Sequence, residues 1–294
     1  MLNSYMQQSL STRRKFLSRL LIGASAVAAI GATDALLVEP KDLVADRVDI
    51  ELRRLPEEFR GFRIAQISDI HFGPYMGKTG LERAVQLAQS FRPDLVALTG
   101  DFVSHPFFGS NSPHGARHAE PCADVLAKIT GTTVVAILGN HDHWNSATIV
   151  EGALQDRGIK VLRNDAVPLE RGNRRIWISG VDDVLVRAAN LGRALRDVPR
   201  SEATILLAHE PDFADYAASF PVDLQLSGHS HGGQVKLPGL GALVLPELAE
   251  KYPVGLNRVG PLQVYTNRGL GMVTPPVRFR CPPEVTFVTL FPAS

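Results

Sequence analysis

Short apolar runs that stop abruptly on polar residues recur along this chain. "FRIAQISD" (62–69) alternates apolar and polar positions and stops at Asp69, "DLVALTGD" (94–101) is continuously apolar until Asp101, and "TTVVAILGN" (132–140) stops at Asn140. "RRIWISGV" (174–181), "EATILLAHE" (202–210) and "VDLQLSGHSH" (222–231) repeat the pattern. Each has the length and β-branched content of a buried strand. Between several of them the spacing becomes helical. In "TGLERAVQLAQS" (79–90), Leu81, Val85 and Ala88 share one face, and Thr79 is the expected N-cap. A second helix is expected over 119–129. Strand and helix signals in alternation predict an α/β domain, with no internal repeat and no low-complexity run.

Five of these strands end in groups able to bind a metal: Asp69-Ile70-His71, Gly100-Asp101, Gly139-Asn140-His141-Asp142, His209, and Gly228-His229-Ser230-His231. Taken singly most are unremarkable. Asp-x-His is an ordinary strand exit, and a lone His209 reads as a core histidine. Gly-Asn-His-Asp is more specific, because a given four-residue word occurs at roughly one in 10⁵ positions by chance. In open α/β sheets the carboxyl ends of the strands share an edge, so the five segments converge there. Together they offer carboxylate, amide oxygen and imidazole without thiolate, a donor set suited to Mn²⁺, Fe²⁺ or Zn²⁺. Seven ligands are too many for one ion. Two ions bridged by the Asp101 carboxylate would use them, as binuclear hydrolytic centres do.

Those motifs, in that order, resemble the calcineurin-like metallophosphoesterase superfamily over residues 62–231. The resemblance implies a four-layer αββα sandwich of two mixed sheets flanked by helices, with the metal site at the C-terminal edge of the strands. It implies one ion held by Asp69, His71, Asp101 and His231, and another held by Asp101, Asn140, His209 and His229. His141 would contact the phosphate and protonate the leaving oxygen, and Asp142 would orient it. The chemistry agrees: two cations make hydroxide available near neutral pH for in-line attack, and an imidazole can supply the proton that an alkoxide needs. The tail, "SGHSHGGQVKLPGLGAL" and "YTNRGLGMVTPPVRFRCPPEVTFVTL", resembles a bacterial branch with twin-arginine-exported and membrane-associated phosphodiesterases. It is also similar to the calcineurin-like UDP-2,3-diacylglucosamine pyrophosphatases.

The first forty residues have a different character. "STRRKFL" (11–17) precedes the apolar "LLIGASAVAAIGATDALLV" (20–38), the order of a signal sequence, and its paired arginines resemble the twin-arginine export signal. Export to the periplasm or the outer face of the cytoplasmic membrane follows, with the export machinery as a partner. Residues 20–38 are expected to remain as an anchor, although Ala24-Ser25-Ala26 and Ala26-Val27-Ala28 would suit a peptidase. The domain reading is a signal, anchor and linker over 1–45 and a catalytic domain over 46–294.

The remaining composition narrows the partners. A net charge of +1 over 294 residues, with Lys and Arg scattered, does not favour nucleic acid. The only two cysteines, Cys122 and Cys281, have no metal-motif spacing. His105, His114 and His118 lie with Phe102, Phe107 and Phe108 in or beside a long insertion after Asp101, expected to be a solvated loop more than a substrate lid. His143 also falls outside the motifs. The leading expectation is a two-metal phosphodiesterase or pyrophosphatase acting by metal-bound hydroxide on a cell-envelope or lipid-linked phosphoester. The alternatives are a UDP-2,3-diacylglucosamine pyrophosphatase at the cytoplasmic face and a binding protein without catalysis. No missing ligand supports the last.

Overall fold

Runs such as Leu95–Thr99, apolar at every position, form strands only where both faces of a sheet are covered. In the computed structural model, which describes residues 18–23, 25, 29–104 and 113–293, that condition is met twice. After short helical turns at Asp34–Val38 and Glu39–Lys41, the strands and α-helices in chain order begin β1 (Val44–Leu52), β2 (Phe62–Ile67), α1 (Lys78–Ser90), β3 (Leu95–Thr99), α2 (Ala119–Leu126), β4 (Thr133–Ile137), α3 (Asn140–Asn145), α4 (Ala147–Gln155) and β5 (Lys160–Val161). There follow β6 (Asp165–Arg171), β7 (Arg174–Gly180), α5 (Leu191–Ala194), β8 (Thr204–Leu207), α6 (Ala214–Ala217) and β9 (Leu224–Ser227). The chain closes with β10 (Lys236–Leu237), β11 (Gly241–Ala242), β12 (Gly255–Val259), β13 (Leu262–Thr266) and β14 (Glu284–Pro292).

Two six-stranded sheets result, ordered β1-β14-β2-β3-β4-β5 and β12-β13-β9-β8-β7-β6, with β10 and β11 as a separate hairpin. Both are mixed. β2, β3, β4 and β5 run parallel while β14 is antiparallel to β2, and β13, β9, β8 and β7 run parallel while β12 and β6 are antiparallel edges. One core lies between the sheets, where Ile64, Leu95 and Ile137 meet Ile178, Ile205 and Leu226. A second joins the outer face of the first sheet to α1, α2 and α4, and a third joins the outer face of the second sheet to α5 and α6. The two-period alternation places Ile205 and Leu207 in the inter-sheet core and Leu206 and Ala208 in the outer one. Burying each large aliphatic side chain contributes about 1.5–3 kcal/mol. The αββα architecture is the one expected.

Several local expectations shift. α1 begins at Lys78 after Gly77, so Thr79 lies inside the first turn rather than capping it. The helix expected over 119–129 closes at Leu126 and is followed by turn. β1 begins at Val44, two residues before the boundary expected at 46. Upstream, Ala35 O accepts from Arg278 N at 3.0 Å, and the Glu39 carboxylate accepts from the backbone N–H groups of Arg280 and Cys281. Cys122 and Cys281 are separate, buried free thiols. Among the described residues no helix is long and apolar enough to cross a membrane. Arg13, Arg14, His105, Phe107 and Phe108 lie outside the described residues.

Candidate metal centre

β2, β3 and β4 of the first sheet and β8 and β9 of the second discharge their C-terminal ends at one edge of the sandwich. The backbone there leaves the strand conformation at once. Asp69, His71, Asp101, His229 and His231 all have positive φ, between 46° and 66°. Non-glycine residues hold that conformation only when their surroundings fix it, and such outliers concentrate at functional sites. Here Asp69 N donates to Gly100 O and His71 N to Asp101 O, at 3.0 and 2.9 Å, locking the β2 exit to the β3 exit.

The side chains converge in two groups that share a wall. Asp69, His71 and His231 bring one ligand atom each within 4.8 Å of one another, as do Asp101, His209 and His229. Asp101 Oδ2 lies 3.2 Å from His209 Nε2 and 3.5 Å from His71 Nε2, so this one oxygen faces both groups. His231 Nε2 is 3.0 Å from His71 Nε2 and 3.4 Å from Asp69 Oδ1. Asn140 Oδ1 and His209 Nε2 are buried with no hydrogen-bond partner. Buried lone pairs aimed at one another are costly unless a cation sits among them. The donors present therefore fit a divalent metal site.

Electrostatics prepares the donors. Burial pushes His71 and His229 down to about 3 and His231 well below its ordinary value, which keeps those imidazoles neutral and able to donate a lone pair. Burial raises the Asp69 carboxyl to about 6 and opposes ionisation of Asp101, but the charge of a protonated His209 and of His141 holds Asp101 well below the usual range. Asp101 in turn holds His209 well above its ordinary value, so a cation entering the site takes the place of the His209 proton. Their partners fix the tautomers. His209 Nδ1 donates to Thr99 O at 2.7 Å, leaving Nε2 for the site, and His229 Nε2 donates to Glu247 O at 2.9 Å, leaving Nδ1.

The motif glycines are there for space. A Cβ on Gly139 would overlap Asp101 Oδ1 and lie 2.8 Å from His209 Nε2, and one on Gly228 would overlap Ser68 Oγ and Asp69 Oδ2. His141 N donates to Asp101 Oδ1 at 2.9 Å, and its ring packs edge-on against His71 and beside Trp144.

The Asp142 carboxylate, expected to orient the His141 imidazole, accepts from four backbone N–H groups: Asp101 and Gly139 at one oxygen, Phe102 and Val103 at the other. It braces the β3 exit against the β4 exit and so holds Asp101 in place.

Arg278 was not anticipated. It is fully buried and donates to the carbonyls of Arg268, Gly269, Gly271 and Cys281. The loop it gathers donates back to the Asp69 segment, through Leu270 N to Ser68 O and Gly271 N to Asp69 O. Nothing in its spacing could have revealed this, since only the fold brings 278 behind 69. Asn145, also unanticipated, ties His141 O to Ser104 O. Of the remaining histidines, His114 and His118 face the same cavity as the cluster, while His143 pairs with Asp182 at 2.7 Å. Phe102 is core.

A cavity of about 1180 Å³ opens above the cluster. His71, Asp101, Asn140, His141, His229 and His231 form part of its lining. The family model of the calcineurin-like phosphoesterases matches residues 62–233, the span that carries every one of these residues. The chain belongs to that family. It is a metal-dependent phosphoester hydrolase. The metallophosphoesterase YkuE of Bacillus subtilis is 33% identical over 286 residues, covering 95% of this chain and 97% of that one. Phosphodiesterase YaeI of Escherichia coli is 31% identical, covering 78% and 82%. A dimetal phosphatase from Danio rerio superposes with a TM-score of 0.44 at 14% identity, covering 72% and 88%.

Proposed function

We propose that this phosphoesterase is a two-metal phosphodiesterase that works on an amphiphilic phosphoester of the cell envelope. The observation that carries the two-ion reading is the position of Asp101 Oδ2, within 3.5 Å of one histidine from each group. A single carboxylate oxygen so placed serves a binuclear centre better than a mononuclear one. Asp69, His71 and His231 would complete one coordination set, and Asn140, His209 and His229 the other, with Mn²⁺, Fe²⁺ or Zn²⁺ suited to the donors. The chemistry supplied by bound divalent cations is charge neutralisation at the phosphoryl oxygens and acidification of water.

The chain's own residues then divide the remaining work. Asp142 and Arg278 hold the Asp101 and Asp69 exits rigid from behind, so that the site needs no reorganisation when charge develops. His141 lines the cavity beside His71 and holds the proton that a departing alkoxide requires. The cavity wall beyond the cluster carries Tyr75, Trp144, Leu185, Val244, Met272 and Val273, which favours a substrate with an apolar part. Export is supported by the Arg13-Arg14 pair ahead of the apolar 20–38 segment.

The full chain, loaded with Mn²⁺ or Zn²⁺, is to be tested against a chromogenic diester, envelope phospholipids and nucleotide sugars. Two metals per chain and diester hydrolysis are expected, with both ions or most of the turnover lost in Asp101→Asn. Two ions retained in that variant with unchanged rate would remove the bridge. In cells, Arg13→Lys with Arg14→Lys should strand the folded chain in the cytoplasm, because charge is kept while the paired guanidinium groups are lost. Unchanged distribution would favour the cytoplasmic pyrophosphatase.

A further inference from the structure

The β10–β11 hairpin and the end of the N-terminal segment hang from one strip of backbone. Lys236 N donates to Phe279 O and Phe279 N to Gln234 O, at 2.9 and 2.8 Å, which fixes the hairpin to residue 279. One residue before it, Arg278 N donates to Ala35 O, and just after it Arg280 N donates to the Glu39 carboxylate at 2.7 Å. Residues 278–281 therefore form a ledge shared by both.

The ledge itself exposes Arg280, and the two elements that hang from it expose apolar side chains. Leu36, Leu37 and Val38 are each more than half exposed on the N-terminal side, and Leu240, Leu243 and Val244 on the hairpin, with Leu240 at the tip 76% exposed. A lone exposed leucine is ordinary, whereas large apolar side chains gathered at one place mark a surface that meets something. Leu243 and Val244 also line the cavity over the metal cluster, so the apolar surface continues into the mouth of the site. One feature selects a lipid surface as the occupant, since the charges around the ledge, Lys41, Lys236 and Arg280 with Asp42, Glu247 and Glu250, are of both signs. The segment that enters the ledge is itself an apolar stretch, with Leu20, Leu21, Ile22 and Ile30 exposed as well.

We propose that this ledge is a lipid-facing surface. The hairpin seats its apolar side chains among the headgroups of a bilayer and brings the cavity mouth to the interface. The substrate is then a phosphodiester lipid drawn from that bilayer, its phosphate at the cluster and its acyl chain along Val244 and Met272. The substrate part rests on the phosphodiesterase reading; the docking part does not.

The test uses the full, metal-loaded chain with Leu240→Cys carrying an environment-sensitive fluorophore, since Cys122 and Cys281 are buried. With vesicles of phosphatidylglycerol and phosphatidylethanolamine, the emission should shift to the blue and be quenched by spin-labelled lipids. Unchanged emission overturns the docking, and a blue shift without lipid that grows with protein concentration overturns it in favour of a second copy. A second variant, Leu36→Ser/Leu37→Ser/Leu240→Ser, touches no cavity-lining residue. It should cleave bis(nitrophenyl) phosphate within about twofold of the parent rate, and a vesicle-embedded phosphodiester at least tenfold more slowly. Equal effects on both substrates overturn the delivery role. If the parent chain cleaves neither substrate while the probe still enters the bilayer, the phosphodiesterase reading fails and the docking stands.

Discussion

His209 donates its Nδ1–H to the carbonyl of Thr99 at 2.7 Å, although the two residues belong to different sheets. Thr99 is the last residue of β3, and two positions later the same chain delivers Asp101, whose carboxylate lies 3.2 Å from the other nitrogen of His209. One strand thus supplies a ligand and sets the tautomer of another. Gln66 strengthens the junction just below, donating to Thr99 Oγ1 at 3.0 Å in its own sheet and to Ser227 O at 2.9 Å in the second. These bonds tie the two sheets together next to the cluster.

That tightness makes Gly139 a test of the site's geometry. The Cβ of Gly139→Ala would claim space held by Asp101 Oδ1 and His209 Nε2. Metal affinity should fall at least tenfold while the far-ultraviolet circular dichroism is kept, since Gly139 precedes α3 and packs into no apolar core. Titration with Zn²⁺ against a chelating dye measures it; parent-like affinity would mean the exits are looser than the structure indicates.

Asp142→Asn separates a brace from a catalytic group. The amide leaves one oxygen to serve the four backbone N–H groups that both carboxylate oxygens accept now. A loss of about 1–3 kcal/mol in denaturant unfolding is expected, because buried backbone donors lose an acceptor. The ratio of rates on alkyl and nitrophenyl esters should stay as in the parent. A shift in that ratio would restore the orienting role toward His141.

His141→Ala should move that same ratio. A nitrophenolate departs without a proton, while an alkoxide needs one. The rate on an alkyl diester should drop about 10²–10⁴-fold and the rate on a nitrophenyl diester far less. Equal losses would leave His141 with positioning alone.

The His143–Asp182 pair predicts a stability window in pH. Burial disfavours charge on His143, but the hydrogen bond and charge of Asp182 outweigh it and hold the imidazole above its ordinary 6.5. Burial likewise opposes charge on Asp182, yet bonds from His143 and Arg163 hold it at about 2 against an ordinary 3.8. The histidine's contribution is complete below 6.5 and fades as pH rises through its raised folded value. The aspartate's is complete above 3.8 and fades as pH falls toward about 2. His143→Gln should therefore lower Tm most between about pH 4 and 6.5, by about 2–4 °C for each kcal/mol lost, with the gap closing in more alkaline buffer. A gap independent of pH would show that the pair contributes packing rather than charge.

The sequence by itself determined the parts whose physics is local. A buried strand has to be apolar and end where polar residues begin, so the strand ends and the ligand types Asp69, His71, Asp101, Asn140, His209, His229 and His231 were legible as a pattern. It could not say that β2, β3 and β4 lie in one sheet while β8 and β9 lie in another. A parallel strand reads alike in a single open sheet and in a stacked pair, because both bury two apolar faces. Only the packing of Ile64 and Ile137 against Ile205 and Leu226 decided that. The same limit explains Asp142 and Arg278. A carboxylate next to His141 looks like its partner in sequence, but the four backbone N–H groups it accepts from come from strand exits that only the fold brings to it. An arginine in a proline-rich tail carries no periodic signal, and its role behind Asp69 came from burial, where a guanidinium must find carbonyls for its N–H groups and so gathered the loop around itself.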